Sequence, residues 1–294
     1  MAKFLITGAT GQVGYYLVRR LQQDPSAVVF APDRASLEIS DQSAVQKTVD
    51  FFKPDVIINA AAYTAVDRAE SEIELCEAIN IKGAKYLAEA ANTVGAIILH
   101  LSTDYVFDGA YIGEYGEDDK PNPQCVYGKT KLAGEIAVQK ANARSVILRT
   151  AWVFGEHGHN FVKTMLRLAK ARDMLGIVND QFGGPTYAGD IASALIEMAN
   201  QILAGKQDAF GIYHFTGKPY VSWYQFAKTI FAEAELQKLI EKQPHLTAIT
   251  TAAYPTPAKR PANSRLNLAK IDRTFGIKPS DWQQALKNIK AYVA

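Results

Sequence analysis

The sequence predicts an α/β protein with a doubly wound parallel sheet and a smaller C-terminal α/β lobe. Two observations carry this prediction. Short apolar runs alternate with helical patterns through the first 150 residues, which is typical of parallel βαβ units with helices on both faces of the sheet. After Thr150 the strict alternation fades, and prolines divide the remainder into shorter pieces.

The individual elements follow from apolar periodicity and from the residues that interrupt it. Strands are expected at residues 4–7, 28–30, 55–59, 96–101 and 145–148. Helices are expected between them at residues 13–21, 44–52, 75–91 and 132–141. The second half is expected to hold helices at residues 161–170, 190–202, 222–236 and 282–293, and a strand at 211–215. Right-handed crossovers between the parallel strands give the Rossmann arrangement.

Composition and charge narrow the class of protein. Hydrophobic residues make up 48% of the 294 positions and charged residues 21%, which excludes an intrinsically disordered chain. The net charge of +2 gives no broad attraction to nucleic acid, and no apolar stretch approaches the ~20 residues of a membrane span. Cys76 and Cys125 are expected to be free thiols in a reducing compartment. We therefore expect a cytoplasmic protein that binds neither nucleic acid nor membranes.

The first strand is followed at once by the glycine-rich turn Gly8-Ala-Thr-Gly11-Gln-Val-Gly14. Gly8 permits a tight turn, Gly11 lets the backbone approach a pyrophosphate, and Gly14 lets the next helix pack closely on the strand. The N-terminus of that helix adds N–H donors and a partial positive charge. A glycine trio placed between a strand and a helix therefore indicates a dinucleotide site.

The dinucleotide site indicates how the chain is divided into two domains. Residues 1–150 are predicted to form an NAD(P)-binding Rossmann domain, with residues 188–215 returning to the same sheet. Residues 151–187 and 216–294 are predicted to form the lobe that binds the substrate.

The end of the second strand is expected to select the cofactor. Asp33 is suited to hold ribose hydroxyls, which favours NADH, whereas Arg34 is suited to a 2′-phosphate, which favours NADPH. Glu38 and Ile39 follow in the same loop and could border the adenine. The sequence leaves both cofactors open.

Two further patterns predict the chemistry. Tyr127 and Lys131 are four residues apart, so they share a face if they begin a helix, and the ammonium is then expected to lower the pKa of the phenol. Such a pair can exchange a proton with an alcohol or alkoxide. Ser102, Thr103 and Asp104 end the fourth strand, where ligands of open α/β sheets bind, and a hydroxyl there can polarise a carbonyl group.

Together these elements resemble the extended short-chain dehydrogenase/reductases and, among them, the dTDP-4-dehydrorhamnose reductase family. The similar stretches are residues 59–67 (NAAAYTAVD), 102–109 (STDYVFDG), 126–135 (VYGKTKLAGE), 149–154 (RTAWVF), 179–186 (NDQFGGPT) and 254–266 (YPTPAKRPANSRL). The similarity extends from Phe4 to Trp282, which is nearly the whole chain.

This resemblance implies NAD(P)H-dependent reduction of the 4-keto group of dTDP-4-dehydro-L-rhamnose to dTDP-L-rhamnose, a precursor of cell-surface polysaccharides such as lipopolysaccharide. It implies that Tyr127 supplies the proton and that Lys131 tunes Tyr127 and holds the nicotinamide ribose. It also implies that Thr103 binds the reacting oxygen and that Asp104 adjusts acidity in the site. The resemblance places family cofactor contacts at Gly11, Gln12, Val13, Asp33, Glu38, Ile39, Ala61, Ala62, Tyr63 and Leu101. With the residues singled out above, the predicted contacts with NADPH or NADH are Gly8, Thr10, Gly11, Gln12, Val13, Gly14, Asp33, Arg34, Glu38, Ile39, Ala61, Ala62, Tyr63, Leu101, Tyr127 and Lys131. The implied contacts with the dTDP-sugar are Thr103, Asp104, Trp152, Arg260, Asn263 and Ser264.

The chain departs from the family in one respect. Some members bind Mg²⁺ through glutamates at a dimer interface, and Tyr16 stands here at one of those positions. We therefore expect no bound metal, and either a monomer or a homodimer. His157 and His159 are interpreted as parts of a polar loop, with a metal pair as the alternative.

Two other functions compete with the reductase. One is another sugar-nucleotide enzyme of the same superfamily, an epimerase or a 4,6-dehydratase. The other is a non-catalytic regulatory subunit that retains the fold and the cofactor pocket.

Overall fold

The computed structural model describes residues 1–206 and 208–293 and arranges them around a six-stranded parallel sheet. The strands are β1 (Ala2–Thr7), β2 (Ala27–Phe30), β3 (Val56–Asn59), β4 (Ile97–Thr103), β5 (Ser145–Thr150), β6 (Val153–Phe154), β7 (Met174–Val178), β8 (Phe182–Gly183), β9 (Thr186–Tyr187), β10 (Gly211–His214), β11 (Val221–Ser222), β12 (His245–Ile249) and β13 (Asn263–Ser264). The main sheet has the order β2-β1-β3-β4-β5-β10, and each neighbouring pair is parallel.

Helices connect these strands. The α-helices are α1 (Gln12–Leu21), α2 (Gln42–Phe52), α3 (Val66–Ala69), α4 (Ile73–Glu77), α5 (Ala84–Thr93), α6 (Val126–Ala141), α7 (Phe161–Ala169), α8 (Ala188–Leu203), α9 (Trp223–Leu236), α10 (Ala269–Phe275) and α11 (Trp282–Leu286). A π-helix spans Ala78–Gly83, and short 3-10 helices span Asp104–Val106, Thr251–Ala253 and Ile289–Tyr292. No helix in the described residues has both the length and the apolarity needed to cross a membrane.

Apolar side chains cover both faces of the main sheet. On one face, Leu17 of α1 and Leu195 of α8 belong to a buried cluster that includes Phe4 and Ile6 of β1. On the other, α2, α5 and α6 form a second buried cluster over Leu5 and Ile57. Each fully buried side chain of this kind contributes about 1.5–3 kcal/mol. These two layers make the sheet a rigid support for the loops at its strand ends.

The strand order changes direction between β1 and β3. From β1 the chain moves outward to β2 and then returns to the other side of β1 as β3. At such a switch point the two connections diverge and leave a crevice at the carboxyl ends of the strands.

The second lobe has its own core. Parallel strands β7 and β12 pair beside α7 and α9, and Phe226, Phe231 and Trp282 belong to the buried cluster of this lobe. A separate three-stranded sheet has the order β11-β8-β13.

Two of the predicted helices differ in the structure. The helix expected at residues 75–91 begins at Ile73, ends at Thr93 and contains the π-helix in its middle. The single helix expected at residues 282–293 was wrong, because α11 ends at Leu286 and a 3-10 helix follows from Ile289 to Tyr292. Asn288 leaves helical geometry between them, with φ −93° and ψ 31°, and its Nδ2 donates to Glu156 Oε1 at 3.3 Å.

Strands β7 and β12 were not predicted from the sequence. Each is only five residues long, and β12 has no buried position, so their apolar signal is weak although β7 alternates exposed and buried residues.

Candidate active site

A cavity of about 750 Å³ opens at the switch point, between the main sheet and the second lobe. Its wall includes the glycine-rich turn, the residues that follow β2, β3 and β4, the start of α6, and residues of the segment after β5, among them Trp152. The predicted site residues that line it are Gly8, Thr10, Gly11, Gln12, Val13, Asp33, Arg34, Glu38, Ile39, Ala61, Ala62, Leu101, Thr103, Asp104, Tyr127, Lys131 and Trp152. Most of the residues singled out in the sequence therefore face one space.

The glycine-rich turn has no room for side chains at two positions. Gly8 has φ +73°, and a Cβ there would lie 2.5 Å from the Ala61 nitrogen. A Cβ on Gly14 would lie 2.0 Å from the Gly8 carbonyl oxygen, so this glycine supports the turn and does not line the cavity. No side chain caps α1 at Gly11, so backbone N–H groups of its first turn remain for a ligand. This cradle fits a dinucleotide pyrophosphate.

The loop after β2 presents charges of both signs to the cavity. Asp33 Oδ1 accepts the Ser36 N–H at 2.8 Å, and hydrogen bonds to Ser36 hold the pKa of Asp33 below its usual range. Arg34 Nε pairs with Glu38 Oε2 at 2.7 Å. A carboxylate suited to ribose hydroxyls and a guanidinium suited to phosphate thus lie at the same end of the cavity.

Thr103, Asp104 and Tyr127 converge where β4 meets the start of α6. The Thr103 hydroxyl donates to Asp104 Oδ1 at 3.0 Å, and Ser264 Oγ of the second lobe donates to Asp104 Oδ2. Burial raises the pKa of Asp104 to about 6, and these two hydroxyls oppose the rise. Burial likewise raises the pKa of Tyr127 above the ordinary value for tyrosine, although a hydrogen bond with Thr103 opposes it. The phenol is therefore protonated at neutral pH.

Tyr127 and Lys131 share the first turns of α6, which begins at Val126, as the four-residue spacing required. The expected lowering of the Tyr127 pKa by Lys131 was wrong for this structure, since burial dominates. Lys131 Nζ donates instead to the Leu101 carbonyl oxygen at 2.7 Å, and burial lowers the pKa of this lysine to about 8.

Trp152 directly follows β5 in a backbone conformation that is uncommon for a bulky residue, with φ +50°. Its indole stacks on Trp223 of α9, with the two ring centroids 3.6 Å apart and the planes 12° apart. Trp223 Nε1 donates to Gln181 Oε1 at 3.2 Å, which fixes the supporting ring. Strained residues of this kind concentrate at functional sites, and here the strain places an aromatic ring in the cavity wall.

Besides Gly14, four predicted contacts lie outside the cavity wall. Tyr63 donates through its hydroxyl to Glu72 Oε2 at 2.6 Å. Arg260 pairs with Asp67, with Nη2 and Oδ2 2.8 Å apart. Asn263 Nδ2 donates to the carbonyl oxygens of Tyr111 and Gly113 at 2.6 and 2.8 Å, and Ser264 reaches the site only through Asp104.

The comparisons with known proteins agree with this geometry. The family model described as the RmlD substrate binding domain matches residues 2–293. The chain belongs to this family. A dTDP-4-dehydrorhamnose reductase of Aggregatibacter actinomycetemcomitans is 57% identical over 292 residues, which are 99% of each chain. The crystal structure of a dTDP-4-dehydrorhamnose reductase from Clostridium acetobutylicum has 40% identity and a TM-score of 0.91, covering 99% of both chains. Another, from Bacillus anthracis in complex with NADP, has 36% identity and a TM-score of 0.88, covering 98% of both chains.

Sequence reasoning missed the polar support behind the site of this RmlD-family chain. Glu135 forms a buried bidentate ion pair with Arg149, through oxygen–nitrogen distances of 2.9 and 2.7 Å, and accepts the Ser102 hydroxyl at 2.5 Å. His100 lies 3.3 Å from Lys131 Nζ. A signal for His100 and Arg149 was present, because each is a large polar residue that directly follows a run of apolar residues in its strand.

The histidine loop lies beside the glycine-rich turn. His157 Nε2 is 3.0 Å from the Thr10 carbonyl oxygen, and Asn160 Nδ2 donates to Gln12 Oε1 at 3.1 Å. His159 lines the cavity. Within residues 1–206 and 208–293, no group of three or more His, Cys, Asp or Glu side chains is placed to hold a metal ion.

Proposed function

We propose that this chain is an NAD(P)H-dependent oxidoreductase that reduces the 4-keto group of dTDP-4-dehydro-L-rhamnose to give dTDP-L-rhamnose. Residues 1–150 and 188–215 hold the cofactor, and residues 151–187 and 216–294 hold the nucleotide sugar. The enzyme acts in the cytoplasm, as a monomer or homodimer, and supplies a precursor of cell-surface polysaccharide.

The bound nicotinamide cofactor supplies a hydride to C4 of the sugar. The Thr103 hydroxyl turns from Asp104 Oδ1 to donate to the ketone oxygen, and Tyr127 donates its phenolic proton to that oxygen as negative charge develops there. A tyrosine is protonated at neutral pH, and burial raises the pKa of Tyr127 further, so the resting side chain already holds the proton that a reduction requires. Lys131 holds the nicotinamide ribose, and its positive charge stabilises the phenolate left on Tyr127.

One observation carries the proposal. Thr103, Asp104, Tyr127 and Lys131 line the same cavity as the glycine-rich turn, in a chain 57% identical to a named dTDP-4-dehydrorhamnose reductase. Trp152 lines the same cavity and gives an aromatic face for the apolar side of a sugar ring.

The test is to incubate the purified protein with dTDP-4-dehydro-L-rhamnose and NADPH or NADH. Turnover is monitored by the loss of cofactor absorbance. We expect stoichiometric oxidation of cofactor and formation of dTDP-L-rhamnose. Tyr127→Phe should lower kcat about 10²–10⁴-fold, because it removes a positioned acid, and should leave cofactor affinity nearly unchanged.

A matched control is Tyr105→Phe. Tyr105 also lines the cavity and packs edge-on against Tyr127 with ring centroids 5.4 Å apart, so it tests the loss of a neighbouring hydroxyl. Wild-type turnover by Tyr127→Phe would contradict the proposed role of this residue. Isomer formation without net oxidation would indicate an epimerase, and tight cofactor binding without any turnover would indicate a regulatory subunit.

A further inference from the structure

Four polar side chains form a buried row behind the site, across strands β1, β3 and β4 to helix α6. Thr7 Oγ1 donates to Asn59 Oδ1 at 2.7 Å, and Asn59 Nδ2 lies 2.9 Å from His100 Nδ1. His100 Nε2 lies 3.3 Å from Lys131 Nζ. Each of the four residues is at most 2% exposed. Groups buried this deeply must satisfy one another, so the hydrogen bonds of the row determine its protonation.

The orientation of the Asn59 amide is fixed by the backbone. The Ala61 N–H can only donate, and it lies 3.1 Å from Asn59 Oδ1. The NH₂ group of Asn59 therefore faces His100 Nδ1, which must accept and cannot carry a proton. Burial and the nearby Lys131 keep the pKa of His100 well below its usual value, so the ring is neutral. Its one ring proton is then on Nε2.

This tautomer places an N–H donor against Lys131. An ammonium group has three N–H donors and no lone pair, so its contact with His100 Nε2–H is repulsive. The neutral amine has a lone pair for His100 and still has an N–H for the Leu101 carbonyl oxygen, which lies 2.7 Å from Nζ. The row thus lowers the pH at which the lysine loses its proton, while the ammonium form still predominates at neutral pH.

We propose that His100 is a positioning residue for Lys131, whose Nε2–H, fixed by Asn59, holds Nζ beside the Leu101 carbonyl and opposes the ammonium form. This inference rests on the role proposed above for Lys131. It means that His100, a residue of strand β4 outside the Tyr127–Lys131 pair, controls the pH at which Lys131 loses its charge.

Other ionisable groups also face Lys131. Glu135, one turn further along α6, favours the ammonium, but its charge is shared with Arg149 at 2.7 Å. Cys76 of α4 is buried with a raised pKa, so it is a neutral thiol at neutral pH. Tyr127 and Asp104 line the same cavity. Among these neighbours, His100 is the one whose donor opposes the ammonium directly.

The first experiment measures the tautomer without using activity. Long-range ¹H–¹⁵N spectra of histidine-labelled protein separate Nε2–H from Nδ1–H rings, and His100→Asn identifies the signal among the five histidines. We expect a neutral Nε2–H ring at pH 7. A ring protonated on Nδ1, or on both nitrogens, would overturn the proposal whatever the enzyme's substrate.

The second experiment measures the alkaline limb of kcat/KM against pH. If the ammonium form of Lys131 is the active one, activity falls as pH rises through its pKa of about 8. His100→Asn can keep an acceptor for Asn59, but its shorter side chain withdraws the N–H donor from Lys131 Nζ, so the limb should move upward. His100→Gln can place an amide oxygen towards Nζ, so the limb should move further, by about one pH unit.

A matched control is His214→Gln, which changes another buried histidine, one whose Nδ1 lies 3.1 Å from the Tyr115 carbonyl oxygen. It should leave the limb unchanged. An unshifted limb in folded His100→Gln protein would contradict the proposal. Titration of the lysine εCH₂ signal by NMR gives the same comparison in the absence of turnover, so failure of the proposed reaction remains distinguishable.

Discussion

At the scale of single residues, burial determines which groups near the ketone are charged. Asp104 is 2% exposed, and its pKa rises from 3.8 to about 6 mainly because a carboxylate loses its hydration there. Ser264 and Thr103 donate to the carboxylate and recover part of that loss. Asp104 consequently titrates just below neutral pH. The neighbouring Tyr127, which lines the same cavity, stays protonated.

Asp104→Asn should stabilise the protein while impairing catalysis. A pKa raised from 3.8 to about 6 corresponds to about 3 kcal/mol of disfavoured ionisation, an upper estimate since asparagine forms different hydrogen bonds. The folded wild type prefers the protonated acid, so its relative stability increases as pH falls from about 6 towards 4. The stability advantage of the variant, measured by urea unfolding, should therefore be largest above pH 6 and disappear near pH 4.

Asp108→Asn is the control for the direction of this pH dependence, because the pKa of Asp108 is shifted the opposite way. Hydrogen bonds from Ala110 and Asn122 lower the pKa of Asp108, so its ionised form stabilises the fold above the unfolded pKa. Its replacement should lower stability at neutral pH, and this loss should shrink in acid. A stability difference for Asp104→Asn that does not change with pH would contradict the buried-carboxylate account.

At the scale of elements, two helices approach closely enough to exclude a side chain. A Cβ on Gly134 of α6 would lie 2.2 Å from the Asn80 carbonyl oxygen, within the π-helix Ala78–Gly83. Asn80 also binds the loop after β3, accepting the Tyr63 N–H at 2.8 Å. The close contact therefore sets the position of α6, and with it Tyr127 and Lys131, relative to the cofactor strands.

Gly134→Ala should move α6 away from the π-helix. Alanine favours an isolated helix by about 1 kcal/mol, so any loss of stability must come from the clash. We expect a lower free energy of unfolding and a kcat reduced at least tenfold by the displaced phenol. Gly116→Ala is the control, since a Cβ there has its nearest neighbour 3.7 Å away. An active, fully stable Gly134→Ala protein would refute this positioning role.

Local patterns made much of the site predictable. The glycine-rich turn and the Tyr127–Lys131 pair each lie within a few residues of a strand or helix start, so spacing alone places them. The Trp152–Trp223 stack and the His100–Lys131 contact join residues distant in sequence, and only packing brings them together. The predicted lowering of the Tyr127 pKa was wrong for the same reason, because the burial that raises it depends on the whole fold.

At the scale of the whole molecule, side chains of the C-terminal lobe contact residues that follow strands β3 and β4 of the main sheet. Arg260 and Asp67, which are 193 residues apart, form a two-pronged ion pair with distances of 3.1 and 2.8 Å. Ser264 reaches Asp104 from the same segment. The Arg260 side chain is 28% exposed, so its contribution to stability is small, about 1 kcal/mol or less. We therefore predict that Arg260 serves the proposed binding of the substrate diphosphate more than it serves stability.

Arg260→Ala should therefore raise KM for the nucleotide sugar by about tenfold or more, with little change in kcat or in melting temperature. The physical reason is the loss of a charge-assisted donor to phosphate at a distance from the reacting ketone. Lys259→Ala removes the adjacent exposed cation and controls for net charge, and Asp67→Asn frees Arg260 from its ion pair. We expect KM to be unchanged in the first control and unchanged or lower in the second. Equal increases in KM for the alanine variants at 259 and 260 would indicate general electrostatic attraction, and an unchanged KM in Arg260→Ala would place the nucleotide elsewhere on the lobe.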